Sequence, residues 1–221
     1  KDSEFSFFLS MIRSKNLEFN HKIIQYISER YPESVYNVSP SITSCKDVEL
    51  HKQKLNFESI EKTKIAMDQK IPIIFNACFM TKLNSYEYPF GGRVDMLVLN
   101  SEIGNLFNLP VVPDNEDKYS IVNFRYATID LRADGMYLLN NTKQKVYKAH
   151  LWLLNASLAI TQNWLPDVCY ILGRKYQHTK QKTKIVKNGV FDHIGIIDFT
   201  QIDKTYEEEC RKALDWICKV K

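Results

Sequence analysis

Apolar residues recur at three- and four-residue steps through the first part of the chain: Phe8, Met11, Ile12, Phe19, Ile23, Ile24 and Ile27. That spacing predicts a helix over residues 5–31. It should stop at Tyr31, because the residue before Pro32 is driven out of helical conformation. Residues 40–54 are polar and read as a loop. Residues 57–67 read as a short amphipathic helix with Ile60, Ile65 and Met67 facing inward. Residues 73–79 are β-branched and aromatic and predict a strand. Gly91 and Gly92 ahead of the apolar run 94–99 read as a turn feeding a buried strand. After a loop rich in Asn, Pro and Asp over 108–118, residues 119–126 predict a further strand. Ala133-Asp134-Gly135 is turn chemistry. Residues 147–160 are apolar almost all round and predict a buried helix. Residues 168–172 and 194–199 predict strands, and 206–220 a closing helix.

No internal repeat and no linker divides this pattern. It predicts one domain over 1–221, with an N-terminal helical part (1–56) and a core (57–221). Helices interleaved with strands imply an α/β fold, a central mixed sheet with helices on its faces.

Composition narrows the picture. The chain has 221 residues, 44% hydrophobic and 25% charged, which suits a single globular core and excludes a collagen-like or disordered chain. The longest apolar runs fall far short of the ~20 residues of a membrane span. Thirty basic against 26 acidic residues give a net charge of +4, which permits a polyanionic partner without demanding one. Five scattered cysteines with no C-x-x-C pair fit unpaired thiols in a reducing compartment, so an intracellular setting, cytoplasmic or nuclear, is expected. The chain opens Lys-Asp-Ser-Glu, which is no secretory signal. It lacks an initial Met, so a piece of a longer protein is expected.

One residue resists the apolar pattern. Asp95 interrupts the run Val94–Leu99, and a carboxylate inside a buried strand is costly unless something pairs with it or binds it. A later strand carries Asn123 and Arg125, which alternation places on one face. An acid on one strand and a polar–x–cation pair on the next is an arrangement used for metal-dependent phosphodiester cleavage. A bland reading, Asp95 capping a turn or paired with a neighbour such as Arg93, stays open.

Four segments resemble the RecB-like branch of the PD-(D/E)xK nucleases, which includes lambda-type exonucleases. Gly92-Arg93-Val94-Asp95 is similar to the family's G-x-x-D. Residues 121–135, through Thr128, Leu131 and Ala133-Asp134-Gly135, resemble the stretch around its (D/E)-x-K. Residues 148–155 resemble the helix bearing its Q-x-x-x-Y. Ile171-Leu172-Gly173-Arg174 and residues 195–216 resemble the tail of related phage and large-DNA-virus proteins. The resemblance covers the chain from about Ser59 onward. It implies a restriction-endonuclease-like core, DNA as partner, and Mg²⁺ or Mn²⁺ held by Asp95, Asn123 and the carbonyl of Phe124. Arg125 and His150 would complete the catalytic set. A homo-oligomer is left open.

The departures from the family are specific. Its second metal carboxylate falls on Asn123, its catalytic Lys on Arg125, and its Gln and Tyr on His150 and Leu154. An amide oxygen is a weaker ligand for a hard cation than a carboxylate. Arg cannot serve as a base, though it grips phosphate well. Two functions therefore stand side by side: a metal-dependent DNA nuclease, and a nuclease-derived protein that binds nucleic acid with its catalysis lost. Asp130-Leu131-Arg132 offers a competing acid–x–cation register of opposite parity. Glu18, Glu58 and Glu61 are further acids that could reach a metal from the first helices. The basic stretch containing Arg174, Lys175, Lys180, Lys182 and Lys184 could neutralise phosphates, with Tyr176 and His178 stacking on bases.

Overall fold

A computed structural model describes residues 2–38, 57–82, 90–107, 109, 113–180, 183–191 and 193–220. The fold is α/β: a mixed seven-stranded sheet flanked by helices, with a separate two-stranded ribbon. The elements are α1 (Asp2–Arg30), β1 (Val35–Asn37), α2 (Phe57–Asp68), β2 (Ile73–Phe75), β3 (Cys78–Thr81), β4 (Phe90–Arg93), β5 (Met96–Leu99), α3 (Asn100–Phe107), β6 (Tyr119–Asp130), α4 (Thr142–Gln162), β7 (Val168–Lys180), β8 (Thr183–Asn188), β9 (Gly195–Asp198) and α5 (Thr205–Val220).

The sheet runs β1-β2-β5-β6-β7-β8, with β9 also on β7. β6 and β7 are parallel, joined by α4 as a crossover, while β5–β6 and β7–β8 are antiparallel. Two cores lie on its two faces. One is built on Ile121, Leu151, Leu154 and Leu158, under α4. The other is built on Phe19, Ile23 and Ile27 of α1 against Val122, Phe124 and Tyr170. The inward stripe of α1 therefore begins at Phe19; Met11 and Ile12, read as part of it, are exposed.

Other local expectations are corrected. In α2, Ile60, Thr63, Ala66 and Met67 form the buried stripe, which puts Ile65 on the opposite side, half exposed. The strand expected over 73–79 is two strands. Asn76 takes left-handed backbone (φ 57°), a conformation Asn tolerates, and the chain leaves the main sheet there for the ribbon. Gly91 and Gly92 form no turn; they lie within β4, paired with Met80 and Phe79. A Cβ on Gly91 would sit 2.1 Å from the Phe79 carbonyl oxygen, and one on Gly92 would sit 2.8 Å from Leu154 Cδ2 of α4. The glycines are there for close packing of the ribbon. β7 runs on past Leu172 to Lys180 because β8 pairs with its second half.

The loop expected over 40–54, Cys45 and Lys182 lie outside the described residues. Cys78, Cys169, Cys210 and Cys218 are free thiols. Among the described residues no helix is long and apolar enough to cross a membrane.

Candidate functional site

Asp95 does not sit inside a strand. It occupies the joint between β4, which belongs to the ribbon, and β5, which belongs to the main sheet. Its carbonyl accepts from the Asn76 N–H at 2.9 Å, so the two chain crossings between ribbon and sheet are tied together. Next to it, β6 carries Asn123 and Arg125 towards α4, and α4 contributes Tyr147 and His150.

The contacts of Asp95 are mostly internal. Its Oδ2 accepts from the Phe124 N–H at 2.8 Å, and its Oδ1 accepts from Asn20 Nδ2 at 3.2 Å. Asn123 is buried, and its Oδ1 accepts from the Asp95 N–H at 3.0 Å. Phe124 thus meets Asp95 through its amide N–H. Lost hydration raises the carboxyl pKa of Asp95, opposed by the Phe124 N–H and by the charges of Arg125, Arg93 and His150.

Arg125 stands over the Tyr147 ring, its guanidinium carbon 4.6 Å from the centroid. Its Nε is buried and has no hydrogen-bond partner. Such a donor is costly to leave unmatched. Arg174, across β7, repeats the arrangement: its guanidinium lies 4.8 Å from the Tyr126 centroid, and Phe19 meets the Tyr126 ring edge-on at 5.8 Å. His150 is exposed. Lost hydration around its ring and the Arg125 charge hold its pKa below the ordinary value, against the pull of Asp95.

The fit to a divalent cation can be judged from these donors. Mg²⁺ and Mn²⁺ ask for several oxygen ligands carrying negative charge. Here one carboxylate is present, both of its oxygens already accept hydrogen bonds, and the neighbouring amide oxygen is engaged by a backbone N–H. Two guanidiniums lie within electrostatic reach. Among the described residues no group of three or more His, Cys, Asp or Glu side chains could hold a metal ion. Among the described residues the donor set does not fit Mg²⁺ or Mn²⁺.

The remaining candidates fall elsewhere. Asp130 is committed to structure: Asn141 Nδ2 donates to its Oδ2 at 2.7 Å and Gln177 Nε2 donates to its Oδ1. Asn141 is the N-cap of α4, so Asp130 anchors the start of that helix. Glu18 is on the surface in ion pairs with Lys15 and Lys22, Glu58 pairs with Lys62, and Glu61 is exposed. Arg174, Lys180 and Lys184 are exposed on β7 and β8, and Lys175 is half-buried. Tyr176, expected to stack on bases, is a core residue; its hydroxyl accepts from the Gly173 N–H at 2.7 Å. Leu154 packs on Gly92.

Comparison with family models, with curated proteins and with solved structures finds no match to this chain.

Sequence reasoning missed Asn20 as a member of the site. The signal was there: Asn16 and Asn20 are four residues apart on one helix face, beside the Phe19, Ile23, Ile27 stripe. Asn16 Oδ1 accepts from the Tyr126 N–H at 3.3 Å, so both amides bind the far end of the site. The two tyrosines under the arginines were also missed.

Proposed function

We propose that this protein binds the phosphate backbone of nucleic acid on a PD-(D/E)xK-like core, without a metal ion and without cleavage. The observation that carries the reading is the contrast between two neighbours: Asp95, whose carboxylate oxygens are both engaged, and Arg125, whose Nε has no acceptor. A site with one satisfied acid beside Arg93 and Arg125 attracts anions and disfavours cations. Arginine held on an aromatic face keeps its donor fork oriented, which suits phosphate oxygens better than a mobile lysine would. Arg174, Lys180 and Lys184 add further exposed cations on β7 and β8. DNA is the partner this reading favours, in keeping with the resemblance to nucleases.

The test is fluorescence anisotropy with single- and double-stranded DNA, in EDTA and in Mn²⁺, over a range of salt. The expected result is binding that ignores EDTA, falls linearly on a log–log salt plot, and leaves the DNA intact. Cleavage in Mn²⁺ that disappears in Asp95→Ala would overturn it and restore the metal-dependent nuclease.

A further inference from the structure

A cavity of about 250 Å³ opens on the α1 face of the sheet, between the start of β7, the end of β9 and the loop before β6. It is separate from the Asp95 cluster. Trp164, Tyr137 and Tyr170 form much of its wall, and Asp114, Asp167 and Asp198 supply its charge. Among the described residues no lysine or arginine lines it, although the chain as a whole is basic.

Asp198 decides what the cavity suits. The residue is only 6% exposed, yet it lines the cavity. Its Oδ1 accepts three hydrogen bonds, from the Thr200 N–H at 2.9 Å, the Thr200 hydroxyl at 2.8 Å and the Gln201 N–H at 3.0 Å. Its Oδ2 has no hydrogen-bond partner among the described residues. That leaves Oδ2 as the oxygen a group entering the cavity can meet. Asp114 and Asp167 stand exposed at the rim. Aromatic walls with acids and no competing cation favour a positive charge on an apolar stem. An anionic or phosphate-bearing ligand would be repelled.

We propose that this cavity binds a small free alkylamine in its ammonium form. The nitrogen would meet Asp198 Oδ2, the stem would lie against Trp164 and Tyr137, and a second ammonium on a diamine would reach the rim acids.

Protein labelled with ¹⁵N at tryptophan gives one indole signal each for Trp152, Trp164 and Trp216. Titration with butylammonium and with 1,4-diaminobutane should move the Trp164 signal saturably, the diamine at lower concentration, and leave Trp152 and Trp216 in place. Butanoate should move none of them. Asp114→Asn and Asp167→Asn should each weaken the diamine by up to about fivefold, the scale of one exposed ion pair. Asp198→Asn should abolish binding; if its turn fails to fold, the two rim variants decide. A Trp164 signal that ignores both amines, or follows butanoate equally, overturns the proposal. Tighter binding of N-acetyl-lysine amide than of the free diamine overturns the assignment to a free amine.

Discussion

Lys148 Nζ lies 2.6 Å from Asp203 Oδ1, and neither side chain is reached by water. The lysine also donates to the Leu138 carbonyl at 3.0 Å, while Asp203 Oδ2 is left without a partner. The pair ties α4 to the turn ahead of α5, two residues from His150. Desolvation lowers the lysine pKa and raises that of the aspartate, so each charge persists because of the other.

Breaking that pair from one side strands a buried charge. Lys148→Met is expected to cost about 3–5 kcal/mol of unfolding free energy. The double variant Lys148→Met/Asp203→Leu should recover most of it. Urea denaturation of both variants is the measurement; equal loss in the single and double variants would mean that the ion pair is not what the single change removed.

Asp95→Asn separates structural from metal-binding roles. The folded carboxyl pKa is raised, so the stability linked to this group is full below the ordinary value of 3.8 and is lost as pH rises through the folded pKa. An amide mimics the protonated acid. The variant should therefore match wild type at low pH and melt higher above that window. Its DNA affinity in EDTA should rise roughly fivefold, since one negative charge has left the site. Melting curves across pH and anisotropy test both halves.

His150 makes binding sensitive to mild acid. Its pKa is held below 6.5, so it is neutral at pH 7 and gains a proton only below that value. DNA affinity should increase as pH falls below 6.5. In His150→Gln that increase should be reduced by the part the imidazolium supplies.

Arg174→Ala removes an exposed cation stacked on Tyr126. It should weaken DNA binding and reduce the salt slope by about one counterion. Arg125→Lys keeps the charge and loses the planar fork over Tyr147, so affinity should fall with the slope nearly unchanged. A salt titration of both variants separates the two effects.

Gly91→Ala should be among the most damaging surface-strand changes, because its Cβ would strike backbone, the Phe79 carbonyl. A cost of about 1–3 kcal/mol is expected. Gly92→Ala meets only the end of the Leu154 side chain and should be rescued by Leu154→Val. Thermal melts of the three proteins check this.

Much of the architecture was legible in the spacing of apolar residues. The long helices and the strands on β6, β7 and β9 follow it directly. Asp95 and Asn123 stood out because polar groups in apolar runs need a reason, and the two do meet. The joint at Asp95 was not legible, since leaving one sheet for another depends on which strands lie alongside. Apolar spacing points Ile65 inward, but the buried stripe of α2 passes through the small residues Thr63 and Ala66 instead. Tyr176 looked accessible because its neighbours are lysines and arginines. That position is buried in the core with Ile129, Leu131 and Leu138, and the His193 ring, from a distant part of the chain, meets Tyr176 at 5.2 Å.

The first helix reaches across 75 positions of sequence to steady Asp95 through Asn20. Any shortened version of this protein that starts after Arg30 would lose that brace, the Asn16 contact to Tyr126 and the Phe19, Ile23 and Ile27 side of one core. Experiments on such a fragment would report on an altered Asp95 site.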